Sequence, residues 1–148
     1  QELSRVLRYT LQSNESQSVS LREEMEFASA YIFLLKMRFE NNLQFDIQIA
    51  KSFEDYRLPP MAVQVLIENA VKHNEISDRK PLTIHIVTNN EGYLSVSNDI
   101  QPKRTAASGT GIGLVNLAKR YRLLFKQDIQ ITEDKEFSVC IPLIDEVQ

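Results

Sequence analysis

The chain has 148 residues, of which 43% are hydrophobic and 25% are charged, and its net charge is −3. This composition predicts a folded globular domain with an appendage and excludes a disordered chain. The negative charge argues against nucleic acid as a partner, because non-specific nucleic-acid binding needs a basic surface.

The first predicted element is a helix over residues 3–12, where Leu3, Leu7 and Leu11 recur one turn apart. The chain starts inside this helix and without an initiating Met, so we expect a fragment of a longer protein. No apolar run reaches the roughly 18 residues of a membrane span. Any membrane anchor of the parent protein is therefore expected upstream.

A second, longer helix is predicted after the polar stretch "QSNESQS". It begins at "SLRE", a capping box in which Ser20 accepts from the third helical amide and Glu23 reaches back. Its apolar residues follow the alternating four- and three-residue spacing of a heptad seam: Leu21, Met25, Ala28, Ile32, Leu35 and Phe39. The seam favours a two-helix or dimeric coiled-coil role, and an ordinary packed helix is the alternative.

From residue 43 onwards the predicted order is strand, helix, hairpin, loop, helix and hairpin. "NLQFDIQIA" alternates apolar and polar residues, and the hairpins are "LTIHIVTNNEGYLSVSN" and "DIQITEDKEFSVCIPLI". The strands are apolar on one face only, so helices should cover one face of a mixed, mostly antiparallel sheet. The sequence therefore predicts an α+β fold, a two-layer α/β sandwich. Cys140 is the only cysteine, so no internal disulfide can form, and its small side chain is predicted to be buried.

One predicted helix carries polar residues that suit a nucleotide. In "QVLIENAVKH", residues 64–73, the apolar side chains fall on one arc of the helix and the polar ones on the other. Glu68 and Asn69 offer oxygen ligands of the kind that Mg²⁺ takes together with phosphate oxygens and water. Lys72, one turn on, could meet a phosphate or simply pair with Glu68. An ordinary solvent-facing side would give the same pattern.

Glycine is concentrated in one stretch, because three of the four glycines fall in "GTGIGL", residues 109–114. Bare backbone amides at the start of a helix favour an anion, which the positive end of the helix dipole also attracts. Phosphate contact is therefore predicted for Gly109, Gly111, Gly113 and the adjoining Leu114. An ordinary loop and helix cap is the alternative.

"LPPMAVQVLIENAVKHN" and "GTGIGLVNLAKRYRLLF" together resemble the N box and the glycine box of the GHKL (Bergerat) superfamily, and specifically those of LytS-type sensor histidine kinases. "LSRVLRYTL" and "YIFLLKMRFENNLQFDI" resemble that family's connecting segments, so the resemblance covers nearly the whole chain. It implies a helical dimerisation segment at residues 1–40 and an ATP-binding catalytic domain at residues 41–148. It also implies a homodimeric parent protein anchored in the bacterial inner membrane, with this part in the cytoplasm and a response regulator as partner.

The resemblance gives roles to individual residues. Asn69 would hold the Mg²⁺ that bridges the ATP phosphates, and Glu68 would assist the metal or its waters. Lys72 and His73 would lie near the phosphates and the ribose. The glycines at 109, 111 and 113 would bring backbone amides to the phosphates.

The adenine position departs from the superfamily pattern. Asn98 stands where an Asp normally accepts a hydrogen bond from the adenine amino group, and Asp99 is the second candidate. The glycines that should follow are replaced by Ile100 and Pro102. An amide oxygen can still accept a hydrogen bond, so adenine recognition by a neutral partner is expected.

The expected reaction is transfer of the γ-phosphoryl group of Mg-ATP to a histidine. Val65 stands where ATP-hydrolysing relatives carry a Glu base, so hydrolysis is not expected. The acceptor would lie upstream of this chain, since His73 belongs to the nucleotide box and His85 lies in a strand. The fragment alone is therefore not expected to autophosphorylate.

The loop from Asp99 to Thr110 would cover the nucleotide, and within it Lys103 and Arg104 are either phosphate contacts or solvated charges. Two other functions stay open. A degenerate module could bind nucleotide weakly or act as a scaffold. A serine-kinase relative could phosphorylate an anti-sigma antagonist.

Overall fold

The computed structural model describes residues 18–103 and 112–145. The helix predicted over residues 3–12 lies outside the described residues, as do Arg104, Gly109 and Gly111. The elements of the described part are β1 (Val19–Ser20), α1 (Leu21–Phe39), β2 (Leu43–Gln48), β3 (Arg57–Leu58), α2 (Ala62–His73), β4 (Leu82–Thr88), β5 (Tyr93–Asp99), α3 (Ile112–Phe125), β6 (Gln130–Glu133) and β7 (Glu136–Pro142). Short 3-10 turns lie at Glu40–Asn42 and Lys51–Phe53.

Five strands form the main sheet, in the order β2-β4-β5-β7-β6. β2 runs parallel to β4, and the other neighbouring pairs are antiparallel. The chain between the two parallel strands contains α2, as a parallel crossover requires. β1 and β3 form a separate two-stranded antiparallel ribbon. The predicted mixed, mostly antiparallel sheet is thus confirmed.

One face of the sheet is buried and carries the helices. Alternate apolar residues of the three central strands form this face: Leu82, Ile84, Ile86, Leu94, Val96, Val139 and Ile141. α1 contacts β2, α2 contacts β5, and both α1 and α3 contact α2. The opposite face carries polar side chains, including His85, whose Nδ1 lies 2.9 Å from Asp46 Oδ2. The two-layer α/β sandwich predicted from the strand pattern is confirmed.

The position of Cys140 differs from the predicted one. It is free and only half-buried, and it lies between the buried residues Val139 and Ile141. Because successive strand residues point to opposite faces, Cys140 occupies the polar face. The apolar run "FSVCIPLI" hid this alternation, so the prediction of a buried side chain was wrong.

α1 begins with the predicted capping box. Ser20 Oγ accepts from the Glu23 amide at 3.1 Å, and Glu23 Oε1 accepts from the Ser20 amide at 3.0 Å. Four seam residues are buried inside this chain's own core: Leu21, Ala28, Ile32 and Leu35. The apolar side of the helix therefore packs against the rest of this chain. This is the ordinary packed helix that was the alternative to a coiled-coil role. The domain boundary at residue 40 stays a prediction.

Glu24 fastens α1 to the start of α2. Its side chain is fully buried, and its two carboxylate oxygens accept from the amides of Met61 at 3.1 Å and Val63 at 2.8 Å. Met61 is the N-cap residue of α2, has a left-handed backbone (φ 70°) and makes no side-chain cap. Glu24 thus satisfies amides that a helix start leaves without intrahelical partners, and it fixes where α2 begins.

The N-terminal part of α3 lies against α2. A Cβ added at Gly113 would lie 3.4 Å from Val65 Cγ1, which is close packing between the two helices. Arg120 Nη2 donates to the Pro60 carbonyl at 2.7 Å. The buried Tyr121 hydroxyl donates to the Pro142 carbonyl at 2.8 Å and so ties α3 to β7.

Candidate nucleotide-binding site

α2 has the predicted division between apolar and polar sides. Its buried residues are Ala62, Val63, Leu66, Ile67 and Ala70. Glu68 and Lys72 are exposed, whereas Asn69 and His73 are half-buried. The polar side chains of this helix therefore differ in environment, and Asn69, His73 and also Gln64 lie partly inside the fold.

Asn69 and His73 line the same cavity, which has a volume of about 330 Å³. They are four residues apart and hence on the same side of α2. The remaining wall comes from Asn74, Ile100, Pro102, Glu133 and Phe137. A partly apolar cavity of this size fits a small planar ligand with a few polar contacts.

Glu68 and Lys72 line a different and larger groove of about 1030 Å³. Consecutive helical residues are about 100° apart, so Glu68 and Asn69 point to different cavities. Asn74 and Pro102 belong to the walls of both. The structure thus brings the predicted residues to one end of α2 but divides them between two adjoining cavities.

The alternative salt bridge between Glu68 and Lys72 is not formed. Glu68 Oε1 instead accepts from Gln64 Nε2 at 3.0 Å, one turn towards the start of the helix. The pKa of the Tyr31 phenol is raised, mainly by the burial of this side chain and to a smaller extent by the negative charge of Glu68. Lys72 remains exposed and forms no ion pair with a described residue.

Asn98 lies next to the smaller cavity. It is 1% exposed at the end of β5, whereas Asp99 is exposed. Its cross-strand partner Phe137 and the nearby Ile100 both line the cavity. Asn98 Nδ2 donates to the Asp99 carbonyl at 2.7 Å, which leaves Oδ1 without a hydrogen bond to any described residue. Burial therefore favours Asn98 over Asp99 as the acceptor.

The C-terminal end of α2 is tied to the segment that follows β5. Asn74 Oδ1 accepts from the Gln101 amide at 2.7 Å, and the Glu75 amide donates to the Gln101 carbonyl at 2.6 Å. Gln101 Nε2 also donates to the Glu75 carbonyl at 2.9 Å. These bonds hold the two walls of the cavity together. Nothing in the sequence indicated this role for Asn74 or for Gln101, which lies in the predicted loop from Asp99 to Thr110.

The described end of the glycine stretch lies close to the same helix. Gly113 packs against Val65, one turn before Asn69, and Leu114 packs against the core. Lys103 is exposed and lines the larger groove. Asp46 pairs with His85 on the open face of the sheet, so His85 is outside this site.

A metal ion at this site would depend on few protein ligands. In residues 18–103 and 112–145, no three or more His, Cys, Asp or Glu side chains converge on one point. Mg²⁺ commonly takes one or two protein oxygens and completes its shell with phosphate oxygens and water. The Asn69 amide oxygen fits that pattern, whereas the Glu68 carboxylate opens onto the larger groove and could act only on a water of the metal.

Comparison with known proteins identifies relatives of this sequence. A family model described as histidine kinase matches residues 1–43. The sensor protein LytS of Streptococcus mutans is 34% identical over 149 residues, covering 90% of this chain and 25% of that protein. LytS of Staphylococcus epidermidis is 29% identical over 139 residues, covering 84% of this chain and 24% of that protein.

Over most of its length the chain is therefore similar in sequence to LytS sensor proteins. It spans about a quarter of the length of the curated relatives it matches. In residues 18–103 and 112–145, every helix is too short or too polar to span a membrane.

Solved structures show that the chain has the fold of histidine kinase catalytic domains. The catalytic domain of histidine kinase ThkA, in a nucleotide-free form, matches with a TM-score of 0.58 at 18% identity, covering 86% of this chain and 99% of that one. The histidine kinase domain of the blue-light-activated kinase EL346 from Erythrobacter litoralis matches with a TM-score of 0.55 at 14% identity, covering 97% and 75%.

Proposed function

We propose that this chain binds Mg-ATP and is the catalytic part of a sensor histidine kinase. It would transfer the γ-phosphoryl group to a histidine upstream of residue 1, for relay to a response regulator. The observation that carries the proposal is the position of Asn69 and His73 in one cavity, with the start of α3 packed against the same helix. The homodimeric, membrane-anchored parent protein stays a prediction from the resemblance.

The smaller cavity is where we place the adenine base. Ile100 and Phe137 supply apolar contact surface, and His73 lies at the C-terminal end of α2 on the same wall. Asn98 would accept from the adenine amino group through Oδ1, the oxygen that has no described partner. A neutral acceptor gives a weaker bond than a carboxylate, so we expect modest affinity.

The phosphates are expected to follow α2 towards Val65 and the start of α3. Asn69 would hold Mg²⁺, which would neutralise charge on the phosphate oxygens, and Glu68 would assist only through the waters of the metal. Lys72 lines the larger groove rather than this cavity, so no phosphate contact is proposed for it. Backbone amides of the glycine stretch, including Gly113, would approach the phosphate oxygens at the positive end of the α3 dipole.

The side chain of Val65 favours phosphoryl transfer over hydrolysis of ATP. Its side chain is half-buried, packs against Gly113 and has no group that could activate a water molecule. The chain would therefore act by positioning ATP and by neutralising charge, and the nucleophile would come from the acceptor histidine.

Calorimetric titration of the 148-residue chain with ATP, with and without Mg²⁺, tests the nucleotide site. We expect Mg²⁺-dependent binding that Asn69→Ala weakens by about tenfold or more, since the variant loses a metal ligand. Asn90→Ala, at an exposed position in the β4–β5 turn, is the matched control and should bind like the parent chain. Equal affinities for the Asn69 and Asn90 variants would contradict the proposed site.

A degenerate GHKL module is the second candidate function. It is favoured by the neutral Asn98 and by Ile100 and Pro102 in place of the expected glycines. Absence of ATP binding at millimolar concentration would support it. If ATP does bind, restoring the upstream segment should give an acid-labile phosphohistidine, whereas an acid-stable phosphoserine on a separate protein would indicate the serine-kinase alternative.

A further inference from the structure

The larger groove is lined by basic side chains. It lies between α2, the C-terminal half of α1 and the segment after α2, with a volume of about 1030 Å³. Among the described residues, five cationic ones line it: Arg38, Lys72, Arg79, Lys80 and Lys103. The carboxylates on the described part of its wall are Glu68 and Glu75. A positive groove thus lies on a chain whose net charge is −3.

These cations are not neutralised by the described part of the chain. Its ion pairs join Arg22 to Glu54 and Asp55, Arg122 to Asp128, and His85 to Asp46, and none involves a cation of the groove. The two groove carboxylates accept from neutral partners instead: Glu68 from Gln64, and Glu75 from the Ser77 hydroxyl at 2.9 Å. The positive charge is therefore available to a ligand.

Two of the cations project from a turn of fixed geometry. The Ser77 amide donates to the Lys80 carbonyl at 3.2 Å, and the Lys80 amide donates back to the Ser77 carbonyl at 3.1 Å. Gln101 Nε2 also donates to the Lys80 carbonyl at 3.2 Å. Arg79 and Lys80 are exposed on this turn, so their backbone is positioned before any ligand arrives.

The size and the charge of the groove indicate which kind of ligand it could bind. The groove has about three times the volume of the cavity in which we place adenine, so it exceeds what a nucleotide base needs. Apolar residues of the groove wall, such as Leu35 and Val71, offer contacts to apolar side chains beside the basic groups. An acidic protein segment, which carries both carboxylates and apolar side chains, fits the size, the charge and the mixed lining of the groove better than nucleic acid does.

We propose that this groove docks an acidic segment of a protein partner through Arg38, Arg79, Lys80 and their neighbours. The docking proposal rests on the proposed kinase function in one respect only. If ATP binds as proposed, the docked partner lies beside Glu68 and the nucleotide. Charge complementarity of this kind mainly raises the association rate and selects among partners, and it weakens with salt.

A fluorescein-labelled peptide of eight glutamates is the probe, with binding to the 148-residue chain followed by fluorescence anisotropy. We expect Arg79→Glu/Lys80→Glu to weaken binding by about tenfold or more, because two attractive charges become repulsive. The control is Lys51→Glu/Lys135→Glu, which changes net charge equally at exposed positions outside the groove and should stay within about twofold of the parent. Raising the salt from about 0.05 M to 0.5 M should abolish binding.

The docking proposal would be overturned by no peptide binding by the parent chain, by equal loss in the two double variants, or by displacement of the peptide by ATP. The last would make the groove a part of the nucleotide site. Duplex DNA that outcompetes the peptide would also overturn it, in favour of nucleic acid. ATP affinity measured on the same variants keeps the two proposals apart, because a chain that fails to bind ATP still gives a readable peptide result.

Discussion

Glu24 shows how one buried side chain positions a site that it does not touch. Its carboxylate holds the amides at the start of α2, and Asn69 and His73 lie on the same helix. The sequence "SLREE" identified Glu23 as a cap but gave no signal for Glu24, because its partners lie 37 and 39 residues away. Helical spacing predicted which α2 residues share a side, whereas bonds between distant segments need the folded chain.

Removing that carboxylate should destabilise the fold. Glu24→Ala would leave the amides of Met61 and Val63 buried without their partner, and we expect a loss of about 3 kcal/mol in the free energy of unfolding. Urea denaturation measures this loss. Glu26→Ala, at an exposed position on the same helix, should change stability by less than about 0.5 kcal/mol. Similar losses in both variants would refute the capping role.

The Asp46–His85 pair predicts a pH dependence. The hydrogen bond from His85, and then that from Gln48, lower the pKa of Asp46 below its ordinary value of 3.8. A carboxyl group whose folded pKa is below its unfolded pKa adds stability above the unfolded value, and this contribution is lost as pH falls through the folded value. Since both side chains are about 40% exposed, the effect should be small.

Urea midpoints at pH 7 and pH 3 test this effect. Asp46→Asn should be less stable than the parent chain at pH 7, and the difference should shrink at pH 3, which lies below the ordinary Asp pKa, because the unfolded chain then binds a proton that the folded chain resists. Asp78→Asn, another exposed Asp that has no ion pair with a described residue, is the matched control. A difference that is constant with pH would assign the effect to packing rather than to charge.

At the scale of elements, α1 shows the limit of a periodic pattern. The heptad spacing correctly predicted one apolar side, but the same spacing serves a coiled coil and a helix on a sheet. The deciding observation is the burial of Leu21, Ala28, Ile32 and Leu35 in this chain's own core. Local signals were more reliable, since both bonds of the Ser20–Glu23 capping box are present.

The capping box gives a direct test at this scale. Ser20→Ala removes the hydroxyl that accepts from the Glu23 amide, and we expect a loss of about 1 kcal/mol in the free energy of unfolding. Ser29→Ala, in the exposed middle of α1, should be neutral or slightly stabilising because Ala has the higher helix propensity. Thermal or urea unfolding that ranks the two variants the other way would contradict the assigned helix start.

For the whole molecule, strand alternation predicted the two layers and the buried face. It could not predict that β2 and β4 are neighbours in a parallel pair, because 33 residues separate the two strands in the chain. Nor could it show that Glu68 and Asn69 enter separate cavities, since that division depends on how α1 and the segment after β5 flank α2. Pairing over long separations and shared walls are properties of the assembled fold.

The sheet should be least protected at its β6 edge. All four residues of β6 are exposed, and among the described strands it pairs only with β7, whereas β5 has a neighbour on each side. In hydrogen exchange we expect the amides of β6 to exchange at least about tenfold faster than those of β5. Equal protection of the two strands would show that the edge is covered by another part of the chain or by a second copy.

The anchoring of α2 at both ends has a consequence for how its length can vary. Glu24 holds its beginning, and Gln101 holds its end through Asn74. One extra or missing residue between these anchors would rotate the following side chains by about 100° and exchange which cavity each of them faces. Homologous chains should therefore differ here by substitution and keep the residue count between the two anchors unchanged.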